Sequence, residues 1–188
     1  MLFIQNVSFA QTLKDALRLN NNEQYESATG IYKQLITKEP ANGTIYYYWG
    51  ENLLDAGDPD GAVATFTTGL QSEPANQINK IGLAKVELYK GNLDPAKVII
   101  DKVILETKSK NALLLMEAGE AYTQFKSKDL LSAQTLLETA IKLEPKNPDI
   151  YNALGDVYSE LNNGTEAAKN YNKALDIDKN YTKSSALL

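Results

Sequence analysis

The chain has 188 residues, 43% hydrophobic and 23% charged, which supplies a folded core and excludes a disordered polymer. Cysteine and histidine are both absent, so disulfides, the common zinc sites, thiol nucleophiles and histidine bases are excluded together. A formal net charge of −5 argues against a nucleic-acid binder, and no run approaches the roughly 18 consecutive apolar residues of a membrane-spanning helix.

The chain opens with MLFIQNVSFAQ, a short apolar run followed by Ser8-Phe9-Ala10. Small residues flanking an arbitrary one resemble a signal-peptidase site, but the charged leader that should precede the apolar run is missing. Residues 1–10 therefore read either as the remnant of a signal peptide or as the start of the first helix. The first reading places the protein in the periplasm or envelope of a bacterium; the alternative is a cytoplasmic protein.

From residue 11 onward one pattern recurs. Ala28, Ala62, Ala96, Ala133 and Ala167 stand 34, 34, 37 and 34 residues apart. Four residues after each comes a large side chain: Tyr32, Phe66, Ile100, Leu137 and Tyr171. Twelve residues before each stands a small one: Ala16, Gly50, Ala84, Gly119 and Gly155. Twelve residues after each come Pro40, Pro74, Lys108, Pro145 and Lys179. Such phasing predicts five copies of an antiparallel helix pair, at about 11–42, 43–76, 77–111, 112–147 and 148–181. Glycine inside a helix costs about 1 kcal/mol relative to alanine, a cost that implies close approach by a neighbouring helix. The large residues then fill the space beyond that contact.

Boundary chemistry agrees. Asp58 is placed to cap a helix beginning at Pro59, and Asn147 one beginning at Pro148. Gly57, Gly91 and Asn162-Asn163-Gly164 supply turns within repeats. The prolines end second helices, so Lys108 and Lys179 predict softer stops. The first copy is weak in its leading helix, and the third has Lys80, Ala84 and Glu87 at key positions. In the fourth copy the stretch 123–129 is two residues longer than its counterparts, which predicts a longer surface turn rather than a change of pitch. Residues 182–188 look like the start of a capping helix or of a further repeat.

These residues resemble the tetratricopeptide repeat family. The second copy carries Tyr46, Trp49, Gly50, Leu53, Gly57, Ala62, Phe66 and Pro74; the fourth carries Leu115, Ala118, Gly119, Tyr122, Ala133, Leu137, Ala140 and Pro145; the fifth carries Tyr151, Leu154, Gly155, Tyr158, Ala167, Tyr171 and Ala174. The resemblance implies an all-α, right-handed superhelical solenoid of about five antiparallel helix pairs. Because Tyr46 and Trp49 fall in core columns, the cluster Tyr46-Tyr47-Tyr48-Trp49 reads mostly as packing.

No catalytic constellation is visible. The carboxylates lack a histidine partner, and no glycine-rich loop has the spacing that cradles phosphate; neither enzymatic activity nor a cofactor is expected. Asp55-Ala56-Gly57-Asp58-Pro59-Asp60 lacks the twelve-residue calcium pattern and reads as a capping turn. Asn-Gly-Thr at Asn42 and Asn163 falls in predicted turns, and turn chemistry accounts for it.

The resemblance implies instead that first helices line a concave groove holding a peptide. Residues four apart share a helix face, which gives Tyr47 and Glu51, Ile81 and Lys85, Met116 and Glu120, and Asn152 and Asp156, with Leu54 and Tyr89 further along the same faces. Part of the family grips a C-terminal carboxylate with a Lys/Asn/Arg clamp. Here only Lys85 and Asn152 are available, and Glu51, Glu120 and Asp156 would repel it. The expected function is a non-catalytic protein–protein interaction scaffold whose partner carries Lys or Arg and an apolar side chain. The alternative is a structural spacer or self-association module of a larger envelope protein, acting through an uncapped C-terminal end.

Overall fold

A computed structural model describes residues 12–181; the readings of residues 1–10 and 182–188 lie outside the described residues. The described chain forms ten α-helices, with no strand among the described residues. They fall into two compact units that divide between Asn79 and Lys80. Unit 1 holds α1 (Leu13–Asn21), α2 (Tyr25–Lys38), α3 (Gly43–Asp55), α4 (Pro59–Ser72) and the first two residues of α5 (Ile78–Tyr89). Unit 2 holds the rest of α5, then α6 (Leu93–Glu106), α7 (Ala112–Gln124), α8 (Leu130–Leu143), α9 (Pro148–Glu160) and α10 (Gly164–Ile177).

Every member of the three repeat columns of small, alanine and large residues is buried. The glycines show why. A Cβ on Gly50 would lie 2.3 Å from Phe66 Cε1, one on Gly155 2.3 Å from Tyr171 Cε1, and one on Gly119 2.7 Å from Leu137 Cγ. The large residue does not merely fill space beyond a helix contact; it is the contact, lying against the glycine of the facing helix. In unit 1, Ala16, Ala28, Ile31, Tyr32, Leu35 and Ile45 form a continuous cluster, with Trp49 packed against its edge. Trp49 is only partly buried, and the Lys33 ammonium lies 5.9 Å from its ring centroid. It borders the core rather than filling it. Tyr46 is buried and its hydroxyl donates to the Pro40 carbonyl at 3.1 Å; Tyr151 does the same to Pro145 at 3.2 Å.

The caps fall where the sequence puts them. Asp58 accepts from the Gly61 N–H at 2.9 Å, with Pro59 opening α4, and Asn147 accepts from the Asp149 N–H at 3.0 Å, with Pro148 opening α9. Asn42 and Asn163 likewise cap α3 and α10. Gly57, Gly91 and Asn162 take φ of 80°, 86° and 57°, the left-handed backbone of helix-ending turns. The stops without proline differ from expectation. α6 and α10 end two residues before Lys108 and Lys179, the register at which α2, α4 and α8 end before their prolines. At α6 two consecutive left-handed residues, Lys108 and Ser109, both at φ 53°, turn the chain instead.

The extra residues of the fourth copy form the turn 125–129. It is held on both sides. The Ser127 hydroxyl donates to the Gly91 carbonyl at 3.1 Å, Phe125 meets Tyr89 edge-on at 6.1 Å, Asp129 pairs with Lys97, and Lys128 pairs with Glu160.

Candidate binding faces on the first helices

Odd-numbered helices carry all ten residues expected to face a ligand, and each unit presents its own set. In unit 1, α3 places Tyr47, Glu51 and Leu54 along one side. Tyr47 is fully buried, with its ring 5.2 Å from Tyr48 edge-on and 5.9 Å from Phe66; Leu54 is buried as well. Glu51 is half-buried, and Asp55, one turn further on, is exposed. Asp55 Oδ2 accepts from Asn20 Nδ2 of α1 at 2.9 Å. From α2, Tyr32 is enclosed: burial first, then the charges of Glu51 and Asp55, push its hydroxyl pKa well above the usual phenol range. Asn52 donates through Nδ2 to the Tyr25 carbonyl at 3.2 Å and to Thr29 Oγ1 at 2.9 Å. Asn20 Oδ1, Asn52 Oδ1 and the Tyr32 hydroxyl are buried without a hydrogen-bond partner.

In unit 2, α5 carries Ile81, Lys85 and Tyr89. Ile81 is buried. Lys85 is 2% exposed, its Nζ lying 2.9 Å from Glu117 Oε2 on α7. An ammonium so enclosed is spent inside the protein. Tyr89 is 44% exposed beside Phe125. On α7, Met116 is buried and Glu120 half-buried. On α9, Asn152 is buried and donates to Asp156 Oδ2 at 3.2 Å, while the Tyr171 hydroxyl donates to Asp156 Oδ1 at 2.9 Å. The Tyr181 hydroxyl donates to Asp149, and its ionisation is opposed first by burial, then by Asp149, Glu120 and Asp156. Glu120, Asp149 and Asp156 therefore share one electrostatic neighbourhood with Tyr171 and Tyr181.

The accessible members of the expected set are thus Glu51, Tyr89, Glu120 and Asp156, while Tyr47, Leu54, Ile81, Lys85, Met116 and Asn152 lie beneath them. Sequence reasoning passed over Asn20, Tyr32, Asp55, Asp149, Tyr171 and Tyr181. Asp55 lies within reach of the same rule, four residues beyond Glu51; Tyr32 and Tyr171 read as packing because both stand in the column of large residues. Among the described residues, no group of three or more Asp or Glu side chains is arranged to hold a metal ion. No helix among them is long and apolar enough to cross a membrane.

The sequence model of the tetratricopeptide repeat matches residues 53–119 and 124–188, more than half of the chain. The chain belongs to the tetratricopeptide repeat family. Solved tetratricopeptide proteins share its fold. TTC0263 from Thermus thermophilus superposes with a TM-score of 0.68 at 21% identity, covering 94% of this chain and 96% of that one. A tetratricopeptide protein from Parabacteroides merdae gives 0.68 at 19% identity, over 94% of this chain and 68% of that one. YrrB, described as having an unusual peptide-binding site, gives 0.54 at 16% identity, over 93% and 89%. No curated protein matches the sequence. Tetratricopeptide proteins are generally non-enzymatic scaffolds, and membership supports a protein–protein interaction scaffold here.

Proposed function

We propose that this tetratricopeptide protein binds a peptide segment carrying Lys or Arg and apolar side chains along the faces of its first helices, without catalysing a reaction. The observation that carries the reading is one register. Glu51, Glu120 and Asp156 each directly follow the small residue of the repeat and each is half-buried, so α3, α7 and α9 repeat an anionic position at the protein surface. Buried apolar residues lie one turn before, at Tyr47 and Met116. A partly buried carboxylate attracts a cation more strongly than one in bulk water, and screening by salt weakens it. The carboxylate clamp is disfavoured further, because Lys85 is committed to Glu117 and Asn152 donates to Asp156. The peptide site noted for YrrB is consistent with this use of the fold.

The test is titration of the full chain with fluorescein-labelled peptides that alternate basic and apolar residues. Affinity should fall at least about tenfold between 50 and 500 mM salt. Reversing Glu51, Glu120 and Asp156 to Lys should abolish binding while leaving helical content intact. Salt-independent binding, or binding that survives the triple reversal, rejects the reading. Export to a bacterial envelope is part of the same proposal and rests on residues 1–11 alone; mass spectrometry of the mature N-terminus checks it.

A further inference from the structure

Two apolar side chains stand on the outside of unit 2 where the repeat does not require them. Val98 and Leu105 of α6 are 69% and 78% exposed. In the other four repeats the first position holds Gly30, Ala64, Thr135 and Lys169, and the second Thr37, Gln71, Lys142 and Asp176, all small or polar. Seven residues apart, Val98 and Leu105 share one helix face, with exposed Asp101 and Lys102 between them. A shallow cleft of ≈ 480 Å³ adjoins this face, lined by Asp101, Ile104, Leu105, Lys108 and Ser109. A lone apolar residue on a surface needs no explanation, but two in line beside a cleft mark a contact surface.

The charges along this face are ordered so that it complements itself. Its N-terminal half carries Asp94 and Asp101; its C-terminal half and the turn beyond carry Lys102 and Lys108, all exposed. The two charges that break this order are engaged elsewhere: Lys97 pairs with Asp129, and Glu106 with Lys80 at 3.1 Å. Lys102 is 68% exposed and lies 4.0 Å from Glu106 one turn on, a surface pair of little strength. Two antiparallel α6 helices with a two-fold axis between residues 101 and 102 set Val98 of each molecule against Leu105 of the other, as an isologous interface requires. The same register sets Asp101 against Lys102, brings Asp94 near Lys108 and lays the first turns of each helix over the other's cleft. A parallel pairing would oppose like charges instead. We propose that two molecules of this chain associate through α6 in this antiparallel register, with Val98 and Leu105 at its apolar centre. With 14 residues α6 spans about 21 Å. A contact of that length falls at the low end of specific interfaces, below about 1,200 Å² in total, so the dimer forms and separates with concentration.

Sedimentation velocity of the full chain from about 5 to about 500 μM should show a reversible monomer–dimer equilibrium, because a two-fold contact closes on itself. Val98→Glu and Leu105→Glu, at exposed positions, should each keep the parent's circular dichroism and weaken the dimer at least about tenfold. Asp101→Lys and Lys102→Asp should each weaken self-association as well, since each sets like charges across the axis. Mixing those two variants should restore association, because every facing pair is then opposite in charge again. A chain that stays monomeric over the whole range overturns the proposal, and so does growth beyond a dimer. Association that survives both apolar substitutions overturns it too. A mixture of the two charge variants that stays as dissociated as either alone also rejects it, because that rescue requires residues 101 and 102 to face each other.

Discussion

A Cβ on Gly50 or Gly155 would stand 2.3 Å from an aromatic carbon, inside any real contact distance, whereas one on Gly30 meets nothing within 4 Å. The same substitution should therefore change sign along the chain. Gly50→Ala or Gly155→Ala should destabilise by about 1–3 kcal/mol, overpacking outweighing the better helix propensity of alanine. Gly30→Ala, at an exposed site inside α2, should stabilise by about 0.5–1 kcal/mol; urea denaturation of the variants decides both. Lys85 and Glu117 supply a second prediction. Truncating either alone leaves a charge enclosed at 2–5% exposure, at a cost of about 3–5 kcal/mol. Replacing both with apolar residues should cost clearly less than the sum, as a double-mutant cycle would show. The glycines were legible because their spacing repeats. The ion pair was not: Lys85 and Glu117 fall in different columns, and which of two surface-patterned charges turns inward depends on the neighbouring helix.

At the scale of elements, caps and turns follow local chemistry, so the sequence placed them well. The proline-free stops expose the limit of that logic. α6 ends on time because Lys108 and Ser109 adopt left-handed backbone, an option that a stop argued from proline alone ignores. The turn 125–129 is anchored through Asp129, which caps α8 through the Ser132 N–H at 3.1 Å and pairs with Lys97. Burial alone would raise the pKa of Asp129, but the bonds from Lys97 and Ser132 outweigh it and hold the carboxyl below its usual value. A depressed folded-state pKa contributes stability that is complete above the unfolded value, about 3.9, and is lost as pH falls through the folded value. Asp129→Asn should therefore melt below the parent protein at pH 6, and the gap should close as the pH drops below about 4; scanning calorimetry across that range tests the sign.

Across the whole molecule, stability in a repeat protein is close to a sum of repeat terms and nearest-neighbour contacts. Gly155→Ala should accordingly raise hydrogen exchange first in α9 and α10 and leave α3 and α4 near their original protection; a uniform rise would show that the chain opens as one block. Periodic spacing, small residues at fixed phase and polar caps determined the all-helical repeat fold from the sequence alone, because each is a local or nearest-neighbour constraint that recurs in every copy. The candidate binding faces were determined only as helix faces. Periodicity tells which residues point the same way, not what covers them, and tertiary packing put Tyr47, Ile81 and Met116 under cover while leaving Glu51, Glu120 and Asp156 at the surface.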